Sequence, residues 1–140
     1  MLDIDHFKNI NDTYGHQTSD LVLKRLGSVL LDALRKIDFA GRIGGEEFAI
    51  ILPETNAKDA LVVAERIRKV VEETEIPLEY GLPLHIALSI GVTTLMDNSS
   101  NIDTLLGQAD KALYEAKHTG RNRVCFHEIK YGQLMSTNSI

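Results

Sequence analysis

The chain has 140 residues, 44% of them hydrophobic and 25% charged, which suits one globular domain and excludes a two-domain, disordered, collagen-like or coiled-coil chain. Its 15 basic and 20 acidic residues leave a net charge of −5, the wrong sign for a general grip on nucleic acid or an anionic membrane, so any phosphate must be met by locally placed groups. Cys125 is the only cysteine and precludes an internal disulfide, no apolar run approaches the roughly 20 residues of a membrane span, and no signal-peptide pattern opens the chain. A cytoplasmic domain with no nucleic-acid or membrane contact of its own is expected.

Residues 2–5 read as a short strand remnant, with Asp5 capping a helical turn through His6, Phe7 and Lys8. Over 20–35, Val22, Leu26, Val29, Leu30 and Ala33 recur at helical spacing, and Ser19 is placed to cap that helix. Residues 39–43 and 48–52 are strand-like runs around Gly44-Gly45-Glu46-Glu47, a hairpin signal because paired glycines accept positive φ. Pro53 stops the second run. Thr55 or Asn56 then caps a helix whose core face is Ala60, Val63, Ala64, Ile67 and Val70. From 84 to 92, Leu84, Ile86, Leu88, Ile90 and Val92 alternate with mostly small residues, predicting a strand whose second face admits close packing. Leu105, Leu106, Ala109, Leu113 and Ala116 define a last helix over 102–118, ended by Gly120, and 123–127 returns as a strand. The tail from 131 to 140 is polar and expected to fray. Alternating strands and helices with one obligatory hairpin predict an α/β chain of the α+β type, a mixed sheet with helices packed on it.

The chemistry concentrates at the hairpin. Gly44 and Gly45 leave the backbone open to a ligand, while the adjacent carboxylates Glu46 and Glu47 repel each other unless a cation or donor joins them. Asp3 ends the first strand, and a sheet that brought it beside Glu46 would supply the hard oxygen ligands that Mg²⁺ shares with phosphates. From spacing alone, a solvated acidic hairpin explains the same residues. His85, His118, His127 and Cys125 read as surface or packing residues.

Gly44-Gly45-Glu46-Glu47-Phe48 resembles the signature of the GGDEF family, the diguanylate cyclases, in the variant with Glu at the third position. It is accompanied in family order by Asp3-Ile4-Asp5-His6-Phe7-Lys8, by Asn11, Gly15-His16 and Asp20, and by Ala116-Lys117 with Gly120-Arg121-Asn122. The resemblance implies a mainly antiparallel five-stranded sheet, similar to the palm of nucleotidyl cyclases and polymerases, over residues 1–128, followed by a tail at 129–140. It implies condensation of two GTP molecules into cyclic di-GMP with two pyrophosphates released, by a homodimer using two Mg²⁺ (or Mn²⁺) ions per site. By position, Asp3, the carbonyl of Ile4, Glu46 and Glu47 resemble the metal ligands. The resemblance further implies that Glu46 or Glu47, with Glu46 preferred, accepts the hydroxyl proton. Asn11 and Asp20 resemble the guanine readers, and His16 falls near ribose or base. Lys117 and Arg121 match the phosphate pair, aided by Lys8 and by main-chain amides at Phe7 and Lys8. Arg35 and Asp38, with Arg66, resemble an inhibitory cyclic di-GMP site.

Two departures stand out. Ser19 replaces the glycine that usually precedes the family's aspartate. The family's N-terminal helix and most of its first strand would lie upstream of Leu2, so the domain reads as N-terminally incomplete, with an upstream sensory or receiver domain expected in the parent protein. That parent could be membrane-anchored elsewhere. The alternative to an enzyme is a silent module that binds GTP or cyclic di-GMP.

Overall fold

In a computed structural model, residues 1–95 and 101–127 are described. Strand β1 (Leu2–Ile4) leads into helices α1 (Phe7–Tyr14) and α2 (His16–Ala33), then strands β2 (Phe39–Gly44) and β3 (Glu47–Ile51). Helix α3 (Ala57–Glu73), strand β4 (Leu88–Val92), helix α4 (Ile102–His118) and strand β5 (Arg123–Phe126) complete the described order. The strands form one sheet in the order β2-β3-β1-β4-β5, antiparallel except between β4 and β5. Those last two run parallel because α4 returns the chain across the sheet between them. The expectation of a mixed, mainly antiparallel five-stranded sheet flanked by helices is met.

Register decides what each face carries. Leu2 lies opposite both Phe48 and Ile90, and Ile4 opposite Leu88. These residues join Val22, Leu26 and Leu30 of α2 and Ala64, Ile67 and Val71 of α3 in the main core. Side chains alternate across a strand, so Asp3, Glu47, Ser89 and Gly91 fall on the other face. There α4 packs closely. A Cβ added to Gly91 would stand 2.2 Å from the Leu113 nitrogen and 2.3 Å from the Ala109 oxygen, a space only glycine leaves.

Several local expectations are corrected. Asp5 does not cap α1: the N-cap is His6, at φ 56° and without a side-chain bond, while the Asp5 carboxylate turns to Ser89 and Asn122. Helix α2 begins at His16, directly after Gly15 at φ 87°, so Ser19 lies inside its first turns and caps nothing. The buried Ser19 hydroxyl instead reaches the Gly15 carbonyl at 3.2 Å and Asn11 Oδ1 at 3.1 Å. In α3, Asn56 is the cap, accepting from the Asp59 amide at 2.8 Å, and Val71 faces the core while Val70 is exposed.

The strand expected over 84–92 forms only at its second half. Asp5 N–H donates to the Ala87 carbonyl at 2.9 Å, and beyond that bond the chain leaves the sheet for α1. Residues before Leu88 thus lose their neighbouring strand, and Leu84 pairs locally with Ile76. Helix α4 has the expected bounds, with Asn101 capping the Thr104 amide at 2.8 Å. The tail expected at 129–140 lies outside the described residues.

Candidate functional site

The hairpin places two carboxylates at the end of a short central strand. Asp3 and Glu47 are direct partners across β1 and β3, and the Glu46 carbonyl accepts from the Ile4 amide at 3.3 Å. Gly45 turns the chain at φ 53°, and Arg42 Nε braces the turn by donating to its carbonyl at 2.8 Å. Around both Gly44 and Gly45 an added Cβ would meet nothing within 4 Å, so this edge of the site is open. The Ile4 side chain is in the core, which leaves its backbone as the part able to serve the site.

The Asp3 carboxylate is buried and accepts a hydrogen bond at Oδ2 from Lys117 Nζ, contributed by the last turn of α4. Burial is the main cause that pushes its pKa up, the Glu46 and Glu47 charges push the same way, and the Lys117 ammonium opposes them. Asp3, Glu46 and Glu47 therefore form an acidic centre with one ammonium against it. The donor set is all hard oxygen, which fits Mg²⁺ or Mn²⁺ chemistry. Among the described residues, no three carboxylate, imidazole or thiolate groups are gathered as a ready cage, and the cation on Asp3 is Lys117.

Asn11, His16 and Asp20 come together where α1 meets α2. His16 and Asp20 are exposed and one turn apart on α2, and Asn11 is tied to that turn through Ser19. Phe7 and Lys8 open α1, where first-turn amides have no partner within the helix. Arg121 lies just beyond α4, exposed, in the left-handed region at φ 61°, with Asn122 following at φ 45°.

Asp5 organises this corner, a role that sequence reasoning missed. Its Oδ1 accepts from Ser89 Oγ at 2.6 Å and its Oδ2 from the Asn122 amide at 2.9 Å. Asn122 in turn donates to Glu72 Oε2 at 2.5 Å and accepts from Arg68 Nη1 at 2.9 Å, anchoring the turn to α3. The available signal was parity: Asp5 is two residues from Asp3, so an extended chain puts both on one face.

A second cluster gathers at the C-terminal end of α2. The Arg35 guanidinium bonds both oxygens of Asp38, at 2.9 and 3.2 Å, and also Pro53 O and Thr55 Oγ1. That pairing holds the Asp38 carboxyl below its ordinary range. Arg66 of α3 reaches the same end, donating to the Ala33 carbonyl at 3.0 Å. An apolar cavity of about 500 Å³ beside β1, lined by Met1, Ile50, Val63, Val92 and Leu106 among others, reaches this corner at Pro53 and Thr55 but includes none of Arg35, Asp38 and Arg66. No helix among the described residues is long and apolar enough to cross a membrane.

The family model described as "Diguanylate cyclase, GGDEF domain" matches residues 1–123. Diguanylate cyclase A of Treponema denticola is 48% identical over 124 residues, 89% of this chain and 33% of that protein. Diguanylate cyclase DosC of Escherichia coli is 41% identical, over 89% of this chain and 27% of its own length. Among solved structures, the active GGEEF domain of a diguanylate cyclase from Vibrio cholerae superposes with a TM-score of 0.84 at 38% identity, covering 92% of this chain and 81% of that one. The GGDEF domain of DgcB from Caulobacter crescentus, in complex with cyclic di-GMP, gives 0.84 and 38% over 89% of this chain and 74% of its own. These matches define a diguanylate cyclase-type domain. The chain belongs to the GGDEF family, and it spans about a third of the length of the curated relatives it matches.

Proposed function

We propose that this domain condenses two GTP molecules into cyclic di-GMP, releasing two pyrophosphates, when two copies face each other. The observation that carries the reading is the direct pairing of Asp3 with Glu47 beneath the open Gly44-Gly45 turn. In each half-reaction the ribose 3′-oxygen of one GTP bonds to the α-phosphorus of the other, the bond from that phosphorus to the bridging oxygen breaks, and pyrophosphate leaves. Glu46 takes the hydroxyl proton. Asp3, the Ile4 carbonyl, Glu46 and Glu47 would hold Mg²⁺ or Mn²⁺, which when bound offsets charge on the phosphates and acidifies the attacking hydroxyl. Lys117 and Arg121 clasp phosphate oxygens with local positive charge, and amides of Phe7 and Lys8 add donors. Asn11 and Asp20 read the guanine edge, where a carboxylate accepts from N1–H and N2–H, and His16 borders the ribose or base.

One protomer holds one GTP, so a homodimer is required for bond formation. Arg35, Asp38 and Arg66 form a site for product inhibition, their guanidinium forks suited to the phosphates and guanines of cyclic di-GMP. The short span relative to its relatives supports an input domain elsewhere in a longer parent. A second reading, nucleotide binding without turnover, is supported by Lys117 occupying Asp3. Incubation with GTP and Mg²⁺, followed by mass analysis, separates the two. Cyclic di-GMP from the chain but not from Glu47→Ala supports the cyclase, and GTP binding with no product at high protein concentration supports the silent module.

A further inference from the structure

We infer that Asp5 is a positioning residue that clamps the two phosphate-gripping segments of the domain to each other. The inference rests on the cyclase reading of Lys8, Lys117 and Arg121 and adds to it a residue outside the ligand set. Asp5 stands immediately before His6 and the first turn of α1, whose amides form one grip. Its carboxylate is buried and holds the amide of Asn122, the residue after Arg121, which forms the other grip. Ser89 Oγ takes the remaining oxygen, fixing the carboxylate on β4.

The geometry explains why such a clamp is needed. Arg121 and Asn122 are consecutive non-glycine residues in the left-handed region, a conformation that costs free energy and persists only where its surroundings impose it. Three contacts impose it: the Arg121 amide donates to the Ala116 carbonyl at 3.0 Å, the Asn122 amide to Asp5, and the Asn122 side chain bonds Glu72 and Arg68. The Arg121 side chain itself is exposed. Its direction is thus set by the backbone that Asp5 holds.

The test is a double-mutant cycle read by calorimetric binding to the chain. GTP binding should weaken roughly tenfold in Asp5→Asn, the middle of the range for coupled groups, with Arg121→Ala costing at least as much and the double variant no more than Arg121→Ala alone. Guanosine, which lacks phosphates, should bind wild type and Asp5→Asn equally. A merely structural role would weaken both ligands and add to Arg121→Ala, and either result overturns the clamp. Amide exchange at Asn122 gives a readout without nucleotide: it should accelerate in Asp5→Asn, and unchanged protection overturns the proposal. If Asp5→Asn does not fold, Ser89→Ala keeps the Asp5 carboxylate but removes the hydroxyl that fixes it on β4; it should show the same non-additivity with Arg121→Ala, and additivity there overturns the clamp. Failure of wild type to bind GTP at all would instead count against the cyclase reading.

Discussion

Lys117 Nζ donates to Oδ2 of Asp3, so the last turn of α4 and the central strand β1 meet at one buried carboxylate. Burial and two neighbouring glutamates nevertheless leave the Asp3 pKa raised above its ordinary 3.8. The folded chain therefore holds this proton more tightly than the unfolded chain does. As pH rises from 3.8 through the raised value, the unfolded chain releases its proton first and stability is lost; above the raised value the loss is complete. Asp3→Asn cannot ionise, so the stability of this variant relative to wild type should grow across that window and then stay flat. Urea denaturation at stepped pH checks this, and a difference that falls with pH would contradict it.

Glu47 faces the same carboxylate from β3. Glu47→Gln keeps the size and removes the charge, so Asp3 should titrate lower by carboxyl NMR while cyclic di-GMP formation falls at least about a hundredfold, the scale of a lost acid–base or ligand group. Loss of activity with an unmoved Asp3 would separate the two effects and weaken the electrostatic account of the site.

Arg35 is exposed and bonds Asp38, Pro53 and Thr55, all within its own corner. Arg35→Ala should lower cyclic di-GMP affinity about tenfold to a hundredfold, as expected for losing charged hydrogen bonds, with thermal stability little changed. Calorimetric titration of product decides it, and equal affinities would refute the product site.

Gly91 carries α4 at backbone contact. Gly91→Ala should destabilise the domain by about 3 kcal/mol, the upper end for forcing extra volume into a packed interior. Because α4 also brings Lys117 to Asp3, the same variant should lose activity before it loses its fold, as followed by circular dichroism and product formation in one urea series.

Elements with strong local instructions were legible in the sequence. Helix α4 shows its apolar stripe and the hairpin its paired glycines, and both appear where expected. Helix α2 starts a turn before the 20–35 span its apolar spacing indicates, because Gly15, at φ 87°, launches it at His16. Val70 and Val71 are equally apolar, and it is Val71 that α3 buries in the core while Val70 stays exposed. At the site, Asp3, Glu46 and Glu47 are readable as a chemical group, but the partners of Asp5, Ser89 and Asn122, lie 84 and 117 positions away, beyond any local pattern.

The central place of β1 has a consequence for folding. Three residues at the start of the described chain sit between β3 and β4, and Asp3 meets a lysine 114 positions later. Contacts of such separation close late, because chain entropy must be overcome before they form. A partly synthesised or partly folded chain therefore has its glutamates and glycines in the hairpin but no assembled acidic centre. Assembly of the site marks completion of the fold, and in a nascent copy Asp3 lacks its lysine until residues 117–122 have emerged and docked.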